Sequence, residues 1–113
     1  MGVVTTIPLR VRSLNTREHP QIKARRVAHE RGVTRLVMWA PCAQYRTRPP
    51  EQLTITLTRV GPRRMDSDNS IGSLKAVRDG LADALGIDDA DPRLTWEYRQ
   101  ETGPFGVKIY LEI

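Results

Sequence analysis

Asp66 and Asp68, one residue apart, open an acid-dense stretch in an otherwise basic chain: Asp66, Asp68, Asp79, Asp83, Asp88, Asp89 and Asp91 all fall within it. Alternate residues of an extended loop project to the same side, so Asp66 and Asp68 can share one ion or a pair of ions. Carboxylate oxygens are hard donors that suit Mg²⁺ or Mn²⁺, which keep several waters and leave room for phosphate oxygens. Such an ion acidifies a bound water and offsets charge building on a scissile phosphate. Both aspartates precede a predicted helix, whose first amides favour negative charge. The second acidic pair, Asp88-Asp89, lies beyond that helix and meets the first only if the chain folds back. An EF-hand does not fit, because Ile71 stands where its glycine belongs and Val77 where its last glutamate belongs. The competing reading of Asp66 and Asp68 is a helix cap with solvated turn acids.

Positive charge surrounds these acids. The chain carries 18 Lys+Arg against 13 Asp+Glu, a formal charge of +5, and a pI near 10.0, a balance compatible with a nucleic-acid partner. Arg63 and Arg64 flank the acid loop. Lys23, Arg25 and Arg26 lie in an early basic helix, and Arg46 and Arg48 in a later loop. All are candidates for gripping DNA phosphates, which gives affinity that falls with salt and reads little sequence. A solvated helix face is the alternative for each. Together, acids and basic shell point to a metal-dependent enzyme acting on nucleic acid.

Other reactive residues carry less. His19 and His29 would sit about 80° apart around a helix and are poor co-ligands. The single cysteine, Cys42, excludes an internal disulfide and a cysteine-rich zinc site, and reads as a buried inert thiol. Trp39 and Trp96 occupy apolar-patterned positions and are expected in the core. A length of 113 residues implies one domain, 1–113, with a modest core. No apolar run reaches the roughly 18 residues that a membrane span needs. Residues 1–12 lack the pattern of a signal peptide, and a reducing cytosol is the expected compartment.

These side chains must be positioned by a predicted α+β fold. Residues 3–12 read as a strand with Val3, Ile7, Leu9 and Val11 on one face, and Pro8 favouring an edge. Ser13-Leu14-Asn15 is a turn and Thr16 a candidate N-cap. A helix over 17–31, with Ile22, Ala24, Val27 and Ala28 as its apolar stripe, closes at Gly32. Alternation predicts a short buried strand over 33–39, and Pro41 and Pro49-Pro50 bracket a loop. Leu53, Ile55 and Leu57 alternate with threonines in a strand that Gly61-Pro62 ends. Asn69 or Ser70 caps a helix to Leu85, with Ile71, Leu74, Val77, Leu81, Ala84 and Leu85 inward and Gly86 closing it. Two final strands, joined at Gly103-Pro104, read as a hairpin. The order is strand-helix-strand-strand-helix-strand-strand. It predicts a mixed sheet of four to five strands with two main helices covering one face.

The run Arg63-Arg64-Met65-Asp66-Ser67-Asp68-Asn69, then Lys75, then Asp88-Asp89, resembles the signature of the RusA-type Holliday-junction resolvases, a family of phage-associated endodeoxyribonucleases. Leu14-Asn15 with the basic helix after it, and the closing strand pair, resemble them too, so the likeness spans most of the chain. The resemblance implies an α+β homodimer, Mg²⁺-dependent cleavage of branched DNA in recombination or repair, and three aspartates plus a lysine at the active site. It also implies a bacterial host's cytosol as the place of action, with a phage as one source of the gene. By motif the first two aspartates are Asp66 and Asp68, the third is Asp88 or Asp89, and the lysine is Lys75. One departure stands out: the family's lysine follows the Asp-Asn step by three residues, whereas Lys75 follows Asn69 by six. Three residues are roughly one helical turn, so Lys75 keeps its side of the helix about 4–5 Å further along. Arg63, Arg64 or Arg78 can supply the charge instead. The rival expectations are a DNA-binding relative without catalysis and a small phage interaction protein.

Overall fold

In the computed structural model, which describes residues 2–13 and 16–113, the elements run β1 (Gly2–Ile7), α1 (Pro20–Met38), α2 (Ala43–Thr47), β2 (Leu53–Gly61), α3 (Ser67–Ser73), α4 (Lys75–Leu85), β3 (Leu94–Thr102) and β4 (Gly106–Glu112). The fold is α+β. A mixed four-stranded sheet has the order β1-β4-β2-β3, with β2 parallel to β3 and antiparallel to β4.

Alternation decides the core. Leu53, Ile55 and Leu57 of β2 face the helices at 1% exposure or less, while Thr54 and Thr56 are half-buried on the opposite face. Ile109 and Leu111 of β4, and Leu74, Val77, Leu81, Ala84 and Leu85 from the helical segment, complete the buried cluster. The other sheet face stays open, lined by residues such as Thr56, Glu97, Arg99, Lys108 and Tyr110. Among the described residues, no helix is long and apolar enough to cross a membrane.

Several sequence expectations change. The predicted strand over 33–39 is helix, because α1 runs unbroken through Gly32 to Met38. What it buries is Glu30, Thr34 and Met38, spaced by one turn, and not the stripe of Ile22, Ala24, Val27 and Ala28, all of which are exposed. Glu30 and Thr34 look surface-bound in sequence. In the fold Arg26 donates to Glu30 at 3.0 Å and the Thr34 hydroxyl donates to the Glu30 carbonyl at 2.8 Å, so both can be buried. The helix starts later than expected: His19 is the N-cap, its Nδ1 accepting from the Gln21 N–H, in place of Thr16. The first strand ends at Ile7, where β4 runs out of partners. Leu9 and Val11 are nevertheless buried, so the alternation outlasts the pairing. The predicted turn at Leu14-Asn15 lies outside the described residues.

The closing strands are not a hairpin. Although β3 and β4 are consecutive in sequence, β2 lies between them and pairs with both. The predicted second helix is two helices. Leu74 leaves helical geometry between α3 and α4. Gly86 then closes α4 at φ 69°, the left-handed conformation that glycine adopts without strain. The loop between the prolines holds α2, with Tyr45 buried. Trp39 is 44% exposed, with the Arg46 guanidinium stacked 3.6 Å from its ring, so it is not in the core.

Candidate metal and nucleic-acid site

The acid loop leaves the carboxyl end of β2. Gly61 and Pro62 break the strand, and Met65 is clamped by the edge strand: its N–H donates to the Gln100 side-chain oxygen and its carbonyl accepts from the Gln100 amide, both at 2.9 Å. Asp66 then caps α3. One carboxylate oxygen accepts from the Asn69 N–H at 2.9 Å and the other from Asn69 Nδ2 at 2.8 Å. Asp68 lies in the first turn of α3, exposed, and forms no ion pair among the described residues. Arg63 and Arg64 are exposed beside this turn.

Asp88 and Asp89 lie elsewhere. Because β2 and β3 are parallel, α3 and α4 must carry the chain back from the carboxyl end of one strand to the amino end of the other. The acids at the two ends of that crossover therefore start from opposite ends of the sheet. Met65 is anchored at Gln100 of β3, whereas the Asp89 carbonyl accepts from the Trp96 indole at 2.9 Å. Those two strand positions are about 13 Å apart at the ordinary rise per residue. Asp88 accepts from the Ala90 N–H in its own turn. Asp89 pairs with Arg78 at 2.9 Å, and Arg78 also donates to the Tyr98 hydroxyl at 2.8 Å and stacks 4.6 Å from the Trp96 ring. Arg78 is a half-buried clamp between α4 and β3. Burial opposes its charge, and the hydrogen bonds it donates to Tyr98 and Asp89 more than restore it, so its pKa is raised.

Among the described residues, no three of His, Cys, Asp and Glu form a group able to hold a metal ion. The expected extended loop is helical at Asp68, which lies in the first turn of α3 just after the N-cap Asp66. Alternation therefore does not bring the two carboxylates to one side. The donors present are exposed single carboxylates, which would leave the other positions of an ion to water and phosphate. Mg²⁺ is commonly held in that way, through one or two carboxylates. They do not fit a cage that includes Asp88 or Asp89.

Lys75 points along α4 to Asp79 at 3.0 Å, on an exposed face. It also lines a crevice with Arg12, Lys23 and Arg26. Arg26 is committed to Glu18 at 2.7 Å and Glu30 at 3.0 Å. Its bond lowers the pKa of Glu18, while burial raises that of Glu30 against the same arginine. Arg46 donates to the carbonyls of Trp39 and Ala84, both at 2.7 Å, closing the end of α4. Lys23, Arg25 and Arg48 are exposed. His29 is exposed and distant in role from the capping His19. Cys42 is fully buried, and burial pushes its thiol up to about 11, which makes it unreactive.

Two residues central to this region escaped the sequence reading. Gln100 holds the acid loop, and Arg59 lies buried at 5% exposure on the core face of β2. The signal for Arg59 was present, since it continues the period-two inward set of Leu53, Ile55 and Leu57.

No family model matches this chain, and no curated protein matches it. Among solved structures it is similar to the 2C-methyl-D-erythritol 2,4-cyclodiphosphate synthase of Plasmodium vivax, at 11% identity and a TM-score of 0.31. That likeness covers 76% of this chain, which spans about half (52%) of the synthase.

Proposed function

We propose that this protein is a metal-dependent endonuclease acting on four-way or otherwise branched DNA, as the resemblance of its acid loop to the RusA-type resolvases implies. The supporting observation is the Asp66–Asp68 turn: exposed, fixed by Gln100 and by the cap on α3, and flanked by exposed Arg63 and Arg64. In this reading Asp66 and Asp68 hold a Mg²⁺ or Mn²⁺ ion. When bound, the ion supplies an acidified water for in-line attack and offsets charge on the phosphodiester. Arg63 and Arg64 orient the DNA strand across the turn. Asn69 fixes the Asp66 carboxylate and leaves Asp68 to face the substrate. Lys75 neutralises backbone charge along the crevice that it lines with Lys23. Asp89 acts through Arg78 as a positioning residue, setting the spacing of α4 from β3. Symmetric junctions need two paired cuts, which a two-fold dimer of this chain supplies, in a bacterial cytosol.

A second reading, a DNA-binding relative without catalysis, is favoured by one observation: Asp89 is already neutralised by Arg78. Purified protein incubated with a synthetic four-way junction separates the two. The nuclease reading expects paired nicks with Mg²⁺, none with chelator and none from Asp68→Asn. Tight junction binding without cleavage under every metal condition would leave only the second reading. Absence of binding at modest salt would remove both.

A further inference from the structure

Arg59 is a buried arginine without an acid. It is 5% exposed on the core face of β2, forms no ion pair among the described residues, and its Nε has no hydrogen-bond partner. Its Nη1 donates to the Arg63 carbonyl at 2.6 Å. Gly61 makes room for the guanidinium, since a Cβ there would meet Arg59 Nη2 at 2.6 Å. Burial without a counter-charge lowers its pKa. An unpaired cation in a fold's interior is costly, so a chain that keeps one at this position gains something from it.

The surroundings say what. Arg59 lines a crevice of about 360 Å³ whose walls also carry Arg10, Arg12 and Arg63, with no carboxylate among the lining residues. Arg10 is steadied by stacking 4.5 Å from the Phe105 ring. Arg12 also lines the neighbouring crevice that holds Lys23 and Lys75. Arg12 acts on Glu18, an acid already paired with Arg26. Arginine's planar fork matches the oxygens of a phosphate and binds them in pairs.

We infer that the crevice walled by Arg10, Arg12, Arg59 and Arg63 is a phosphate-binding subsite, with the buried Arg59 as its fixed anchor. The anion is a tetrahedral phosphate, either a backbone phosphodiester of DNA or a free phosphate. The subsite stands on Arg59 and its neighbours; its assignment to a DNA phosphate rests on the nuclease reading.

The test titrates inorganic phosphate into the full chain at constant ionic strength, with thermal unfolding and calorimetry as readouts and chloride as control. Wild type is expected to gain stability with phosphate, and Arg59→Gln to lose roughly tenfold or more in affinity. Arg59→Lys, which keeps the charge but not the fork, should fall between them. If the Arg59 variants do not fold, Arg12→Gln and Arg63→Gln alter the crevice rim and should each weaken phosphate binding severalfold. A labelled four-way junction in metal-free buffer identifies the source. Phosphate that displaces the junction assigns the site to the DNA backbone, and phosphate that binds without displacing it assigns the site to free phosphate. A response no greater than that to chloride, or one unchanged in every foldable variant, overturns the proposal. Failure to cleave DNA would defeat the nuclease reading and leave the phosphate titration as it was.

Discussion

The side-chain amide of Gln100 takes both backbone hydrogen bonds of Met65, accepting from its N–H and donating to its carbonyl at 2.9 Å each. A glutamine on the edge strand thus acts as a one-residue extension of the sheet and fixes the loop immediately before Asp66. Gln100→Leu keeps much of the volume but strips both partners from a half-buried backbone. The expected cost is about 1–3 kcal/mol, with faster tryptic cutting at the exposed Arg63 and Arg64. Urea unfolding and timed proteolysis measure these. An unchanged cutting rate would mean that the loop is held by something else.

Two glycines in helices should respond in opposite directions. A Cβ at Gly80 would run into the Arg31 carbonyl and come within 2.9 Å of Thr34 Cβ, because α1 crosses α4 at that point. Gly80→Ala must push the helices apart and should cost about 1–3 kcal/mol. Gly32 has nothing within 4 Å of its would-be Cβ. Gly32→Ala should stabilise by about 0.5–1 kcal/mol through helix propensity alone. Equal effects of the two substitutions in denaturant melts would contradict the described crossing.

Those same glycines show why α1 was misread. In sequence, Gly32 looks like a stop and Val33, Val37 and Trp39 alternate as in a strand. What keeps the helix going is tertiary: α4 offers Gly80 as a flat seat, and Glu30 and Thr34 are buried there against local propensity. Of the α3–α4 segment, the α4 part was legible because Leu74, Val77, Leu81 and Leu85 repeat at helical spacing and Gly86 closes them. The break at Leu74 was not, and Ile71, expected inward, is exposed. Pairing order was not. Nothing in the patterns of β3 and β4 announces that β2 inserts between them, a choice made by the crossover. The acid loop was legible as a loop, but its cap falls three or four residues earlier than expected, at Asp66 and not at Asn69 or Ser70. Its separation from Asp89 follows only from the parallel pairing of β2 and β3, which no local motif encodes.

Cys42 makes a pH prediction. Burial raises its thiol to about 11 in the fold, while an unfolded thiol ionises near 8.5. A raised folded pKa means that its contribution to stability is complete below the unfolded pKa and is lost as pH climbs toward 11. Wild type should therefore lose on the order of 3 kcal/mol across that window beyond what Cys42→Ala loses, at about 1.4 kcal/mol per pH unit. Lysines and tyrosines titrate in both proteins and cancel in the comparison. Parallel pH–stability curves for the two proteins would show that the thiol is not desolvated.

Asp66 has two jobs in the proposed reading, and asparagine separates them. As an N-cap, Asn is about as good as Asp, whereas Ala costs roughly 1 kcal/mol. Asp66→Asn should therefore unfold at nearly the wild-type urea midpoint, and Asp66→Ala should fall short of it. As a metal ligand, however, an amide is neutral and cannot replace a carboxylate in holding Mg²⁺. Both variants should then lose junction cleavage although only one loses stability. If Asp66→Asn cuts a four-way junction at the wild-type rate, the carboxylate caps α3 and does no more, and the metal-holding turn must be sought at Asp68 without it.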